Sequence, residues 1–411
     1  MNISETGVAG LTVEVLQNIL RDYIGDRMAT VTACNVMPLA HDGRQGGSLQ
    51  RLHMVWQAHD GTAGAVEWLV KVWEPGGMAE QFFGVTRPIE ALAWEQGLLR
   101  REALPDDVVV PIIWAGRRID ETRAWVVMED VGAALAVYSR SAPIPAPHAL
   151  ASTRAVLAGL ARFHAWWERP EQQLKLETCD WLVPLDTYIW CGASGYAAVL
   201  NASTEEQADL QAFLARIPAE ARQLWRDFLV DRGKLVQALA ALPHTLLHHD
   251  LDDRNIGLRW PSMRLPADHE DDSTAGLVLI DWEWTGRGPA ALDVARVVME
   301  AVAVCDRAEP FPDEYWSDAL PDHYFACYQR AGGTALDQAT WQRSYELAQI
   351  VQGTWTLPWL LGRSARVLAG DAEPVDLPGI PAEEMRRQAG AFVEDGDHLA
   401  ALVTRAMQRC C

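Results

Sequence analysis

The sequence has no long apolar run. No uninterrupted apolar stretch approaches the roughly 18 residues of a membrane-spanning helix. The N-terminus also has no basic segment followed by an apolar one, which is the pattern of a secretion signal. From these absences we expect a cytoplasmic protein without a membrane partner.

Cysteine is scarce and shows no recognisable pattern. There are seven cysteines, an odd number, and they are scattered along the chain without a Cys-x-x-Cys pair. This excludes a disulfide framework and a structural zinc site as organising features.

Basic residues are in short supply relative to acidic ones. The chain has 35 lysines and arginines against 56 aspartates and glutamates, giving a formal net charge of −21. Such a surface repels nucleic-acid phosphates, so we expect no nucleic-acid partner, and it attracts small cations. With 411 residues, 49% of them hydrophobic, the chain is long enough for two or three domain-sized units.

The first third of the chain is predicted to be mainly β. Apolar residues in "LTVEVLQNILRDYIG" and "IEALAWEQGLLRRE" have helical spacing, whereas four segments are predicted as strands: "LQRLHMVWQA", "AVEWLVKVW", "DVVVPIIWAG" and "AWVVMEDV". After Gly132, the Pro-rich "SAPIPAPHAL" predicts a linker, and helical patterns dominate from Thr153 onward. His164 continues the apolar stripe of one such helix and is predicted to be a packing residue.

A strand pair interrupts the helical part. "NIGLRW" and "GLVLI" flank a polar, acidic loop and are predicted to pair antiparallel. This pairing places Asn255, at the start of the first strand, opposite Asp281, just past the end of the second.

The segment "LLHHDLDDRNIG" before this pair is unusually rich in charge. Asp250 and Asn255 lie five residues apart, and Asp281 follows across the hairpin. Phosphoryl transfer from a metal-bound nucleotide requires this set of groups. Asp250 is predicted to accept the proton of the acceptor hydroxyl, while Asn255 and Asp281 offer oxygen ligands suited to Mg²⁺.

Two blocks resemble a known family. "HHDLDDRNIG" and "LVLIDWEWTGRGPAALDVA" resemble the signature blocks of the aminoglycoside phosphotransferase and choline kinase-like family, whose members are small-molecule kinases with the protein-kinase fold. Four earlier segments resemble the family's glycine loop, lysine strand, glutamate helix and hinge strand, in that order: "QGGSLQRLHMVW", "WLVKVW", "RPIEALAW" and "WVVMEDV".

The resemblance implies an α+β, protein-kinase-like fold of two lobes. Residues 1–130 form a nucleotide-binding lobe, with a small antiparallel sheet and one long helix, and residues 131–411 form a larger helical lobe that binds the acceptor. The implied cofactors are ATP, or another nucleoside triphosphate, and Mg²⁺. The implied nucleotide-binding residues are Gly46, Gly47, Ser48, Lys71, Glu90, Glu129 and Val131, the last two beside Asp130 in the hinge. His248 and Asp293 are implied to orient the loop that carries Asp250.

Some assignments stay open. Glu95 lies on the same predicted helix as Glu90 and is the second candidate partner of Lys71. His249 stands where the family often has glycine, and "LDDR" replaces a common His-Pro-Gly segment. Arg254 either stabilises phosphate charge or neutralises Asp252 and Asp253.

The leading hypothesis is an ATP-dependent kinase for the hydroxyl of a small molecule. The short segment between Asp281 and "GRGPAALDVA" argues against a protein kinase. The alternatives are a metal-dependent phosphohydrolase using His249 and Asp250, and a nucleotide-binding pseudokinase.

The acidic loop "PADHEDD", together with Asp252, Asp253 and nearby tryptophans, suits an acceptor with a positive charge, such as an aminoglycoside or amino alcohol.

Overall fold

The structure is a computed structural model. It describes residues 8, 10–39, 47–73, 87–100, 103–105, 108–109, 113–135, 144–189, 204–259, 276–304, 317–374 and 382–410. Gly46 and the acidic loop at residues 266–272 therefore lie outside the described residues.

The N-terminal lobe is a five-stranded antiparallel sheet with two helices. Its elements are α1 (Val13–Ile24), β1 (Thr30–Pro38), β2 (Gly47–Gln57), β3 (Ala63–Trp73), α2 (Ile89–Glu95), β5 (Ile113–Arg118) and β6 (Ala124–Glu129), while the short β4 (Val108–Val109) pairs elsewhere. The sheet order is β1-β2-β3-β6-β5. Thr12 caps the start of α1, and the apolar face of this helix packs on the sheet through Leu16 and Leu20.

The predicted hairpin of β2 and β3 is confirmed, and it continues through β6. Two sequence predictions for this lobe are wrong in detail. The segment "DVVVPIIWAG" is not one strand, because Val108–Val109 pairs in parallel with Leu277–Val278 of the C-terminal lobe, while Ile113–Arg118 pairs with β6. The helix predicted over "IEALAWEQGLLRRE" is only seven residues long and ends at Glu95. Strand β1 had no sequence prediction.

The C-terminal lobe is mainly helical. Its helices are α3 (Gly132–Leu135), α4 (Ala146–Trp167), α5 (Pro170–Glu177), α6 (Thr204–Arg216), α7 (Arg222–Val230), α8 (Gly233–Ala240), α9 (Ala291–Val304), α10 (Ala319–Arg330), α11 (Gln338–Ala369) and α12 (Ala382–Cys410). Its strands are β7 (Thr245–Leu247), β8 (Ile256–Arg259), β9 (Gly276–Leu279) and β10 (Gly286–Gly288). The chain therefore has the predicted α+β, protein-kinase-like fold of two lobes.

Short strands position the two signature blocks. Strands β8 and β9 pair antiparallel, as predicted, with Ile256 opposite Leu279. The predicted register is wrong by one residue, because Asn255 lies opposite Ile280, whose N–H donates to Asn255 O at 3.1 Å, and not opposite Asp281. Strand β10 returns beside β7, with Gly286 opposite Leu247. The segments that follow β7 and β9 therefore start from neighbouring points on the lobe. No described helix has the length and apolar character needed to cross a membrane.

Candidate active site

Lys71 lies at the centre of a group of carboxylates. Its Nζ is 2.9 Å from Glu90 Oε2, 2.6 Å from Asp281 Oδ1 and 2.7 Å from Glu283 Oε1. Strand β3 supplies the lysine, α2 supplies Glu90, and the turn after β9 supplies the other two. Glu95 points elsewhere, since its Oε2 is 2.7 Å from Arg118 Nε. Of the two candidate partners, the structure brings Glu90 to Lys71.

The charges of this cluster depend on one another. Burial opposes the charge of Lys71, but Asp281, Glu283 and Glu90 together raise its pKa well above the usual lysine value. Burial also raises the pKa of Glu283 well above its usual range, and Lys71 opposes that shift. Three carboxylates around one ammonium leave the cluster short of positive charge.

Glu283 is a site residue that the sequence prediction omitted. It is only 1% exposed. It lies two residues after Asp281, in the middle of the 3₁₀ turn Trp282–Trp284, and Asp281 precedes this turn with a left-handed backbone, φ of 64°. The available signal was the sequence Asp-Trp-Glu directly after an apolar strand.

The carboxylates around Lys71 fit a divalent cation. The ligand oxygens of Glu90, Asp281 and Glu283 lie within 4.8 Å of one another. Among the described residues, the buried Oε2 of Glu283 has no hydrogen-bond partner. Carboxylate oxygens are the ligands that Mg²⁺ prefers, and these three groups share the single ammonium of Lys71, which lies among them.

Asp250 and Asn255 lie together in the loop between β7 and β8. Asn255 Nδ2 donates to the backbone oxygen of Asp250 at 2.9 Å and to its Oδ2 at 3.0 Å. The amide nitrogen thereby fixes the carboxylate. Both bonds use the amide nitrogen of Asn255. They do not involve its amide oxygen, which is of a type that binds cations.

His248 connects this loop to the segment before Asp281. Its Nδ1 accepts the backbone N–H of Asp250 at 3.3 Å, and its Nε2 donates to Ile280 O at 2.8 Å. This pattern corresponds to the neutral tautomer with the proton on Nε2. Burial lowers the pKa of His248, which agrees with a neutral ring. The ring therefore links the two signature blocks.

Asp293 holds the start of the same loop. Its Oδ2 and Oδ1 accept the backbone N–H groups of His248 and His249, both at 2.9 Å. His164 Nε2 lies 3.4 Å from Oδ2, and its Nδ1 lies 2.8 Å from Tyr324 Oη. His164 is thus a fully buried residue that supports packing, as predicted.

The proton affinity of Asp250 reflects its surroundings. Burial, together with Asp252 and Asp281, raises the pKa of Asp250 to about 7, and Arg296 and Arg254 oppose the shift. A carboxylate with this pKa is suited to accept a proton near neutral pH.

Arg296 is a second residue that the sequence prediction omitted. It lies on α9, one turn after Asp293, with its side chain 16% exposed and its Nη2 3.0 Å from Glu300 Oε1. Its guanidinium lies 5.7 Å from the ring centre of Trp355. The available signal was that Arg296 follows Asp293 by three residues on the same helix, because residues at this spacing share a helix face.

Arg254 contacts Asp252. Its Nη2 forms an ion pair with Asp252 Oδ2, and its Nε donates to the same oxygen at 3.1 Å. Of the two roles left open for Arg254, the structure places it in the neutralising one.

The predicted adenine and phosphate segments flank this region. Glu129 ends β6 opposite Trp68, and its Oε1 is 2.8 Å from Arg259 Nη2. Val131 is buried and packs with Ala134 and Val278. At the predicted glycine loop, Gly47 and Ser48 begin β2 opposite the end of β3. The predicted glycine loop leads into β2 and the predicted hinge follows β6. These two strands lie on either side of β3, which carries Lys71.

Comparison with known proteins finds similar solved structures at low sequence identity. No protein-family model and no curated protein sequence matches the chain. A Plasmodium vivax ethanolamine kinase structure has 12% sequence identity and a TM-score of 0.44, covering 93% of this chain and 86% of that chain. A choline kinase of Streptococcus pneumoniae has 12% identity and a TM-score of 0.39, covering 93% of this chain and 99% of that chain.

A third similar structure is an amicoumacin kinase in complex with AMP-PNP, Ca²⁺ and its ligand. It has 11% identity and a TM-score of 0.44, covering 88% of this chain and 87% of that chain. All three proteins are named as kinases.

Proposed function

We propose that this protein is a phosphotransferase that moves the γ-phosphate of ATP to a hydroxyl group of a small molecule. The observation that carries the proposal is the meeting of Lys71 with Glu90 and Asp281, next to a loop in which Asn255 holds the Asp250 carboxylate. Phosphoryl transfer needs positioning and charge stabilisation more than covalent chemistry, and these groups supply both.

The nucleotide is proposed to lie between the lobes. Lys71 offers its ammonium to the phosphates, and the backbone of Gly47 and Ser48 covers them. The hinge residues Glu129 and Val131 receive the base. Asn255 and Asp281, joined by Glu283, would hold Mg²⁺, which supplies positive charge to the phosphates when it is bound.

Asp250 is proposed to act on the acceptor. Its carboxylate accepts the hydroxyl proton as the acceptor oxygen bonds to the γ-phosphorus and the bond to the ADP oxygen breaks. His248 and Asp293 keep the loop in place through neutral or backbone contacts, and they do not take the proton.

Two other functions have less support. A phosphohydrolase built on His249 and Asp250 needs a metal at those residues. Yet among the described residues the carboxylates that approach one another closely are Glu90, Asp281 and Glu283, without a histidine. A pseudokinase has no use for a carboxylate whose pKa is raised to about 7.

The deciding experiment is a coupled ADP-release screen with Mg²⁺ and ATP over hydroxylated metabolites and antibiotics. Release of ADP that requires one acceptor, with the phosphorylated acceptor found by mass spectrometry, supports the proposal. Nucleotide binding without turnover of any acceptor would favour the pseudokinase.

A positive charge on the acceptor is the finer part of the proposal. The net charge of −21 favours it. However, a carboxylate and a tryptophan that could hold such a charge already contact arginines. Asp252 is paired with Arg254, and the Trp355 ring faces Arg296. We therefore expect the attraction of the site for a cation to be modest.

A further inference from the structure

His249, the residue before Asp250, occupies a costly position. Its backbone has φ of 68°, in the left-handed region where a side chain is disfavoured. Its ring is buried, with only 1% of the residue exposed. Within the described residues, neither ring nitrogen has a hydrogen-bond partner. A strained backbone and buried polar atoms without hydrogen bonds persist only where the surrounding contacts impose them. Such features cluster at functional sites.

The ring is held in a narrow slot. On one side it stacks on Tyr188, with ring centres 3.7 Å apart and planes inclined by 24°. On the other side lies Gly286, where an added Cβ would be 2.7 Å from Cδ2 and Nε2 of the ring and also 2.7 Å from the backbone oxygen of Val183. Only a residue without a side chain leaves room for the imidazole there.

The backbone of His249 is fixed as well. Its N–H donates to Asp293 at 2.9 Å, and its carbonyl, which belongs to the peptide bond with Asp250, accepts from Tyr188 Oη at 3.3 Å. Gln352 Nε2 in turn donates to Tyr188 Oη at 2.8 Å. Tyr188 thus contacts both the ring and the peptide that leads into Asp250.

The ring itself carries no charge near neutral pH. Burial lowers the pKa of His249 to about 4. A neutral ring without hydrogen bonds contributes shape and stacking area rather than proton transfer.

From these contacts, the geometry points to His249 as a positioning residue. Its ring, wedged between Tyr188 and Gly286, holds the left-handed turn that aims the Asp250 carboxylate at the acceptor. This inference rests on the proposed function, because it assigns the ring a role in presenting the catalytic base.

Three variants test the role. His249→Gly removes the ring while accepting the left-handed backbone, and His249→Phe keeps a stacking ring without nitrogens. Gly286→Ala pushes on the ring from the opposite side and also on the backbone oxygen of Val183, so it supports the role only together with His249→Gly. We expect kcat to fall about 10- to 100-fold in His249→Gly and Gly286→Ala, because a small misplacement of a reacting group has effects of this size. The KM for ATP should change less than about twofold, because the nucleotide contacts remain. His249→Phe should recover most of the lost kcat.

A remote stack provides the matched control. Phe325 on α10 stacks on Trp341 with ring centres 5.9 Å apart, and Phe325→Leu should lower the melting temperature while leaving kcat unchanged. This separates loss of aromatic packing in general from loss of the wedge.

The outcomes are distinct. Wild-type kcat in both His249→Gly and Gly286→Ala would overturn the positioning role and leave the proposed function intact. A His249→Phe variant as slow as His249→Gly, at matching stability, would overturn it in favour of a chemical role for the ring nitrogens. A wild-type protein that phosphorylates no acceptor would overturn the proposed function and, with it, this inference.

Discussion

Lys71 and Asp250 belong to two parts of the candidate site that are held by different kinds of contact. Lys71 is fixed by ion pairs with Glu90, Asp281 and Glu283, which come from separate elements. The Asp250 loop is fixed to the rest of the lobe by hydrogen bonds to its backbone, with Asp293 accepting two N–H groups, while its ion pair of Arg254 with Asp252 lies within the loop.

This difference shows in which part of the site the polar groups already have their partners before a ligand binds. Around Lys71 there is more negative than positive charge, so a cation lowers the free energy of the cluster. In the loop, Asp293, His248 and Asn255 already have their partners. We therefore expect the Lys71 cluster to respond to the metal-nucleotide complex, and the Asp250 loop to act on the acceptor without large rearrangement.

The largest expected effect is that of Asp250→Asn. Loss of the base should lower kcat by about 10²–10⁴. Affinity for the nucleotide should change less than about twofold, because the variant leaves the Lys71 cluster intact and alters a carboxylate that Asn255 holds within the loop. Steady-state ADP release and calorimetry measure the two quantities. Near wild-type turnover in this variant would disprove the catalytic assignment.

Asp281→Ala should have the next largest effect, on the other part of the site. Removing this carboxylate should weaken binding of a Mg²⁺ complex of a non-hydrolysable ATP analogue by roughly 10- to 100-fold. Calorimetry measures it. Glu95→Gln is the control, because Glu95 is a helix carboxylate paired with Arg118 outside the cluster. Equal affinities in wild type and Asp281→Ala would break the distinction between the two parts.

The sequence predicted much of this arrangement because its signals are local. Strand alternation identified β3 and its lysine, and the hairpin of β8 and β9 follows from two apolar runs around a polar loop. The choice of Glu90 over Glu95 was beyond reach, because it depends on how α2 docks on the sheet. The split of "DVVVPIIWAG" was equally hidden, since Val108–Val109 pairs with a strand more than 160 residues later in the chain.

The missed site residues have a common cause. Glu283 and Arg296 lie close in sequence to predicted site residues, but their contacts in the site, like that of Tyr188 with the His249 ring, are tertiary. The left-handed backbone of His249 explains why glycine suits this position, but a sequence does not reveal the slot between Tyr188 and Gly286.

Arg296→Met should change the pH dependence of turnover. Arg296 lowers the pKa of Asp250, which stands at about 7. Without the arginine this pKa rises, and since only the ionised carboxylate accepts a proton, the acid limb of kcat/KM should move to higher pH. We expect a shift of about 0.5 to 1 unit.

Glu300→Gln is the control for Arg296. It removes the ion-pair partner but keeps the guanidinium near Asp250, so the acid limb should not move to higher pH. If the acid limb of kcat/KM is at the same pH in Arg296→Met as in the wild type, the pKa of Asp250 is set by the loop and not by Arg296 on α9.

The smallest expected effect concerns salt and the acceptor. Choline and 3,3-dimethylbutan-1-ol have the same shape but differ by one positive charge, so their comparison isolates the charge of the acceptor. Because Arg254 pairs with Asp252 and Arg296 covers the Trp355 ring, we expect the KM of choline to rise by less than about threefold between low and moderate salt, where screening shortens the reach of surface charge to about 8–10 Å. The KM of the uncharged alcohol should not change. A choline KM many-fold below that of the alcohol, with a steep salt dependence, would show that carboxylates outside these contacts attract the acceptor, and the acidic segment at residues 266–272 would then be the first place to substitute.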